Sequence, residues 1–229
     1  MPKNSDAMAA FVFDLDDTLY KEWNFVASAY RAVARYMAGI TGADPGPLVR
    51  IMGKHRPKGF EAAIEAQAGL PGVDRIRIDD LVYIYRSHLP EISLDPEVVD
   101  TLRELRARGH SLGIITDGSV LTQGTKISTL GLYDIIEHDA VWISERTGGD
   151  KTTVLPWQAA EARFRDERRR VYVGDNLSKD FHLANLRGWH TVMLRDPAGA
   201  NVFPQRPCDW PPEYRARTTV DSVAALLSI

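Results

Sequence analysis

Five short apolar runs, near residues 11–16, 111–116, 141–144, 170–174 and 191–194, are separated by longer stretches whose apolar residues recur every three or four positions. Strands that alternate with helices pair in parallel through crossovers, and the crossing helices cover both faces of the sheet. The expected core is therefore α/β, a Rossmann-like parallel sheet with helices on both faces. Asp95-Pro96-Glu97 supplies an N-cap and a first-turn proline ahead of Val98, Val99, Leu102 and Leu105, and Gly109 closes that helix. Residues 119–130, ended by Gly131, and 153–164 read as further helices. The Pro- and Arg-rich stretch 196–217 reads as an irregular surface excursion, and a short helix is expected over 220–227.

Residues 21–90 break the alternation, because they carry helical periodicity and no convincing strand. Phe25, Ala29, Ala32, Val33, Tyr36 and Met37 mark a first amphipathic helix. The stretch 39–47 is expected to end it, with helices to follow near 48–52, 60–68 and 78–88. Two domains result: a core from residues 1–20 and 91–229, and a small all-helical domain from residues 21–90.

The chemistry is densest where the first run ends, at Phe13-Asp14-Leu15-Asp16-Asp17-Thr18. If the strand carries through residue 16, Asp14 and Asp16 share a side while Leu15 points away. Two adjacent carboxylates favour a hard divalent cation such as Mg2+, which takes oxygen ligands and keeps positions open for water and phosphate. A solvated acidic turn is the plainer alternative, since Asp bonds nearby amides in turns. A calcium-binding EF-hand loop is excluded, because Leu19 and Phe25 stand where it needs glycine and glutamate. Asp17 faces away from its neighbours and reads as a capping residue.

Asp14-x-Asp16-x-Thr18 after an apolar strand resembles the first motif of the haloacid dehalogenase superfamily. Three later elements resemble the family's others, in order: Thr116 closing a strand, followed by Asp117-Gly118; Lys151 after Gly148-Gly149-Asp150; and Gly174-Asp175 with Asp180. Many members place proline after the lysine, whereas Thr152 follows here, which leaves Lys179 or Lys126 as substitutes for Lys151. The resemblance implies a Mg2+-dependent phosphatase. Asp14 would be the nucleophile, forming an aspartyl-phosphate, and Asp16 the acid and base. Thr116, the amides of Asp117 and Gly118, and Lys151 would hold the phosphoryl group. Asp14, Asp175 and the Asp16 carbonyl would hold the metal, anchored by Asp180. The helical domain would be a substrate-selecting cap. Dehalogenases and phosphonatases lack a carboxylate at the position of Asp16, so its presence favours cleavage of a phosphate ester, such as a sugar phosphate or a nucleoside monophosphate.

Three alternatives remain at this stage. A phosphomutase of the same superfamily keeps these motifs. A response-regulator receiver also combines acidic ligands, Thr and Lys, but takes its phosphoryl group after the third strand, where Ser144-Glu145-Arg146 holds no Asp. A phospho-ligand-binding protein could retain the fold without turnover.

Composition narrows the partners. A net charge of -3 supplies no field for nucleic acid, so Arg168-Arg169-Arg170 reads as a solvated element end. Lys54-His55-Arg56-Pro57-Lys58 is a local basic cluster that reads as a solvated loop before it reads as an anion site. The six histidines are dispersed without ligand spacing. One cysteine, Cys208, excludes an internal disulfide and a multi-thiolate zinc site. No apolar run approaches the roughly 20 residues of a membrane span. The apolar stretch that Asp14 stops is too short for a signal peptide. The expectation is a cytoplasmic enzyme of a small phosphate ester, monomer or homodimer, with no nucleic-acid or membrane partner.

Overall fold

The computed structural model describes residues 8–206 and 209–229; Cys208 and the chain start, on which the thiol and signal-peptide readings rest, lie outside the described residues. The chain divides into two compact units, one formed by Met1–Glu22 with Ser93–Ile229 and the other by Trp23–Ile92. No helix of the described residues is long and apolar enough to cross a membrane.

The first unit contains β1 (Ala9–Phe13), β2 (Ser111–Thr116), β3 (Val141–Ile143), β4 (Arg169–Gly174), β5 (His190–Leu194) and β6 (Thr218–Val220). They form one sheet in the order β3-β2-β1-β4-β5-β6, every pairing parallel. The Rossmann-like expectation holds. All five residues of β1 are buried, which explains its uninterrupted apolar sequence: a central parallel strand is covered on both faces. Phe13 pairs with Ile114 on one side and Val173 on the other, so the carboxyl ends of β1, β2 and β4 finish together. The order reverses at β1, with β2 and β3 to one side and β4 to β6 to the other. Open α/β sheets bind ligands at such a reversal, outside the carboxyl ends of the strands. Flavodoxin-like sheets, including receivers, have the order 2-1-3-4-5, so the receiver alternative fails on topology.

Several local expectations need correction. β6 was not anticipated, because Thr218-Thr219-Val220 is a half-exposed edge strand with β-branched residues but no apolar run. It displaces the helix expected from residue 220; a 3-10 helix, Val223–Ser228, follows instead. The helix expected over 153–164 is Leu155–Arg163, with Pro156 in its first turn, because the Thr153 hydroxyl donates to the Asp150 carbonyl at 2.8 Å. Ser119 caps Val120–Thr129 by accepting the Thr122 N–H. Asp95 makes no side-chain cap on Pro96–Ala107; its carbonyl accepts the N–H of Val98 and Val99.

Trp157 lies at the centre of this unit's core, fully buried and edge-to-face with Tyr172 and Trp189 at 4.8 and 5.5 Å between centroids. Its indole N–H donates to the Lys151 carbonyl at 3.0 Å. Core packing thereby fixes the loop that carries Lys151.

In the second unit the first helix runs Glu22–Thr41, through Gly39 rather than stopping there. Val26, Tyr30, Val33, Ala34 and Met37 form its buried stripe and pack with Leu48, Met52, Ala63, Ile76 and Leu81. Asp44 then caps Pro45–Lys54 by accepting the Gly46 N–H at 2.9 Å. Gly59–Glu65 and Ile78–Ser87 complete the unit. Residues 54–58, the basic cluster, are exposed.

Candidate active site

β1 ends at Phe13, but the Asp14 N–H still donates to the Val173 carbonyl at 2.8 Å. Asp14 is thus held at the mouth of the sheet, between β2 and β4. The chain then turns sharply. Asp17 adopts a left-handed conformation with φ 55°, which Asp tolerates better than most residues. Its carboxylate accepts the N–H groups of Glu22 at 3.0 Å and Val202 at 2.7 Å, so Asp17 pins the turn. Leu15 is fully buried. Asp14 and Asp16 line one cavity of about 130 Å3 together with Thr116, Asp117, Lys151, Asp175, Asn176, Lys179 and Phe203. That volume is below the roughly 300–1,000 Å3 of sites for drug-sized ligands, and suits a phosphoryl group and an ion.

Lys151 is the lysine brought to Asp14. Its ammonium lies 2.8 Å from Asp14 Oδ1 and 2.6 Å from Asp180 Oδ1. Its main chain is fixed at both ends, the N–H donating to Asp117 Oδ1 at 3.0 Å and the carbonyl accepting from Trp157. The two possible substitutes are engaged elsewhere: Lys179 donates to Asp117 Oδ2 at 2.9 Å, and Lys126 to both Asp16 oxygens at 2.7 and 2.9 Å.

Asp16 is therefore not simply the twin of Asp14. Besides Lys126, its carboxylate accepts the Tyr20 hydroxyl at 2.5 Å and the Gln123 amide at 2.8 Å. Burial alone would raise its pKa, but the Lys126 charge and these three donors outweigh it and hold the carboxyl below the usual range. Gln123 also donates to Thr116 Oγ1 at 2.6 Å. The Thr116 hydroxyl accepts that bond and keeps its own proton for an acceptor in the cavity. Gly118, expected to offer its amide, donates it to Ser144 Oγ at 2.8 Å and does not line the cavity, whereas Asp117 does.

Asp180 is completely buried. Its Oδ1 accepts Lys151 and the Tyr172 hydroxyl, the latter at 3.2 Å; its Oδ2 accepts the N–H groups of Asp175 and Asn176 at 3.0 and 2.7 Å. A carboxylate has about four acceptor sites, and all four are filled. The approach is so close that a Cβ on Gly174 would lie 2.4 Å from Asp180 Oδ2, which explains the glycine.

Asp14, Asp175 and Asp180 each offer an oxygen within 4.8 Å of the others, and all are buried. Burial, moderated by Lys151 and reinforced by Asp180, raises the Asp14 pKa to about 8. Burial, then the charges of Asp180 and Asp14, raise Asp175 to about 9. Lys151 goes up as well, since its carboxylate neighbours outweigh its burial. Three buried carboxylates around one ammonium leave a negative excess that protons or a hard cation must balance. The donor set, all oxygen, fits Mg2+.

Sequence reading missed the second layer. The Asp117 side chain, Gln123, Lys126 and Tyr20 act on the expected residues, and Asn201 and Gln205 reach Asp175 from the supposed surface excursion, with bonds of 2.7 Å to its Oδ2 and 3.0 Å to its carbonyl. Gln123 and Lys126 lie three apart on one helix face beside buried Ile127. Two polar residues on a buried face were the available signal.

A family model described as haloacid dehalogenase-like hydrolase matches residues 11–194. A glyceraldehyde 3-phosphate phosphatase of Methanopyrus kandleri is 30% identical, over 88% of this chain and 90% of that protein. A ribulose-1,5-bisphosphate 5-phosphatase of Halopiger xanaduensis is 28% identical, over 96% and 98%. Among solved structures, the magnesium-bound HAD hydrolase YfnB of Bacillus subtilis matches with a TM-score of 0.65 at 18% identity, covering 96% of this chain and 97% of that one. A 2-haloacid dehalogenase of Pseudomonas syringae reaches 0.63 at 23%, covering 96% and 97%. At such identities these two structures share the fold alone. With the family match spanning most of the sheet and every strand-end motif, the chain belongs to the haloacid dehalogenase-like hydrolases.

Proposed function

We propose that the protein is a phosphatase of small sugar phosphates that works through an aspartyl-phosphate on Asp14. The observation that carries the reading is the pairing of two differently treated carboxylates in one small cavity: Asp14 against the Lys151 ammonium, and Asp16 ringed by Lys126, Tyr20 and Gln123. A dehalogenase reading leaves Asp16 without a task. The curated relatives named as glyceraldehyde 3-phosphate and ribulose-1,5-bisphosphate phosphatases support the sugar phosphate class.

In the first step an Asp14 oxygen bonds to phosphorus while the ester P–O bond breaks, and Asp16 delivers its proton to the departing alcohol. In the second, water bonds to phosphorus, Asp16 takes the water's proton, and the Asp14–phosphorus bond breaks to release phosphate. Asp16 thus needs a proton in one half-reaction and lacks it in the other. Lys126 favours the charged form, and withdrawal from water opposes it. Thr116 donates its hydroxyl, and the Asp117 amide and Lys151 ammonium complete the grip on the phosphoryl oxygens. The ammonium also favours the ionised form of Asp14, which attack requires, against the burial that raises its pKa. Asp14, Asp175 and the Asp16 carbonyl would hold Mg2+, with Asp180 orienting Asp175 and Lys151; the ion would neutralise phosphoryl charge. Choice among sugar phosphates is assigned to the helical unit, as the family resemblance implies.

The test is phosphate release from a panel of sugar phosphates, nucleoside monophosphates and phosphorylated acids, with Mg2+ or with EDTA. Metal-dependent release from a sugar phosphate, abolished by Asp14→Asn, is the expected result. Release that survives the substitution, or none from any ester by a folded protein, overturns the reading.

A further inference from the structure

We propose that Asn201 is a positioning residue that confines Asp175 to one available carboxylate oxygen, and so sets the affinity of the site for its divalent cation. The proposal rests on the phosphatase reading, in which Asp175 is a metal ligand. It concerns a stretch of chain that no strand-end motif covers.

Asp175 is gripped on three groups. Its N–H is held by Asp180, its carbonyl by the Gln205 amide, and its Oδ2 by the Asn201 amide at 2.7 Å. That last contact is buried, with Asn201 9% exposed and Asp175 3%. One oxygen is therefore occupied and the other is left for a cation. The donor is neutral. An ammonium or guanidinium there would cancel the Asp175 charge, as Lys151 does for Asp14; an amide orients the carboxylate and leaves its charge available.

An asparagine amide can present either its N–H2 or its oxygen, and only the first attracts a carboxylate. Lys21 decides between them. Its ammonium, which can only donate, lies 2.5 Å from Asn201 Oδ1 and so turns the N–H2 toward Asp175. The loop is tied down on both sides. The Asn201 N–H donates to Asp196 Oδ2 at 2.7 Å, Asp196 lies 3.6 Å from Lys21, and the Asp196 N–H donates to Gln205 Oε1 at 2.9 Å. The next residue, Val202, bonds the turn-forming Asp17. One short segment after β5 thus braces both the turn after β1 and the ligand after β4. Hydrogen bonds that orient a metal ligand change affinity by about 10–100-fold when removed.

Isothermal titration of metal-stripped full-length protein with Mg2+ tests this, comparing wild type, Asn201→Ala, Lys21→Met and, as a control in the same loop, the exposed Ala200→Ser. Asn201→Ala should raise the Mg2+ Kd about 10-fold or more, and Lys21→Met should raise it less, because the amide is then free to turn over. The melting temperature of the metal-free protein should stay near wild type in both. Phosphatase activity of Asn201→Ala should fall at limiting Mg2+ and recover when Mg2+ is raised. Wild-type affinity in a folded Asn201→Ala overturns the proposal and leaves the phosphatase reading intact, as does an equal loss in Ala200→Ser. If Asn201→Ala does not fold, Lys21→Met decides alone, and unchanged affinity there overturns the proposal. A wild type that releases phosphate without binding Mg2+ removes both the proposal and the metal assignment.

Discussion

Replacing Lys151 by Met keeps most of the side-chain volume and deletes only the charge and its donors. Two buried contacts go with it, 2.8 Å to Asp14 and 2.6 Å to Asp180. Removing one partner of a buried ion pair costs about 3–5 kcal/mol, because the other charge is left uncompensated. Asp14 can relieve its share by taking a proton, since its pKa already stands at about 8. Asp180 keeps two backbone N–H donors and Tyr172 but loses the one cation it touches among the described residues. At about 2–4 °C per kcal/mol for a chain of this size, the melting temperature of metal-free Lys151→Met should fall by roughly 6–20 °C. Once Mg2+ has displaced the proton from Asp14, the carboxylates face it with the Lys151 ammonium no longer competing for them, so Mg2+ should bind the variant more tightly than wild type. Mg2+ at 100 times its Kd returns about 2.7 kcal/mol, much of the loss. Activity should nonetheless vanish. Thermal melts of both proteins with EDTA and with Mg2+ provide the assay. A metal-free variant within about 2 °C of wild type, a shift worth under 1 kcal/mol, or one that binds Mg2+ more weakly, refutes the electrostatic reasoning.

Asp180→Ala strands two backbone N–H groups and half of the Lys151 pairing, so denaturant unfolding should register a loss of about 3–5 kcal/mol. Lys126→Met removes the largest influence holding Asp16 ionised; burial then raises its pKa, and the limb of the pH–rate profile that reports Asp16 should move to higher pH. Mg2+ must displace protons from Asp14 and Asp175, whose pKa values of about 8 and about 9 are raised, so titrations between pH 6.5 and 9 should show affinity rising with pH and proton release on binding. The same shifts mean that the folded metal-free protein holds protons that the unfolded chain has released. Its stability should therefore decline from the ordinary carboxylate range upward through pH 8–9, a decline that saturating Mg2+ reduces.

The parts of the molecule legible in sequence are those set by local pattern. β1 reads as an apolar run because a covered parallel strand must be one, and Asp14, Thr116 and Asp175 read as functional because polar residues abruptly end such runs. Lys151 could be picked out by order alone, although Trp157 and Asp117, which hold its main chain, were invisible in that role. Asn201 lies 26 residues from Asp175, in a Pro-rich stretch with no periodicity, and nothing local distinguishes it from any loop asparagine. β6 escaped because three half-exposed residues at a sheet edge carry too little apolar area to leave a pattern. Gly118 was expected to present an amide to phosphate from its place after the strand, but Ser144 takes that N–H, a contact made by a different strand's end.

Covalent capture at Asp14 is the most direct measurement of the chemistry. Enzyme turning over a preferred sugar phosphate with Mg2+ is quenched in acid and digested, and the peptide carrying Asp14 is weighed by mass spectrometry, with borohydride reduction to mark an acyl phosphate. The expected result is one added phosphoryl group on Asp14, convertible to homoserine and absent from Asp14→Asn. Phosphate released at full rate with Asp14 never modified would mean that water attacks phosphorus directly, and would contradict the central assignment.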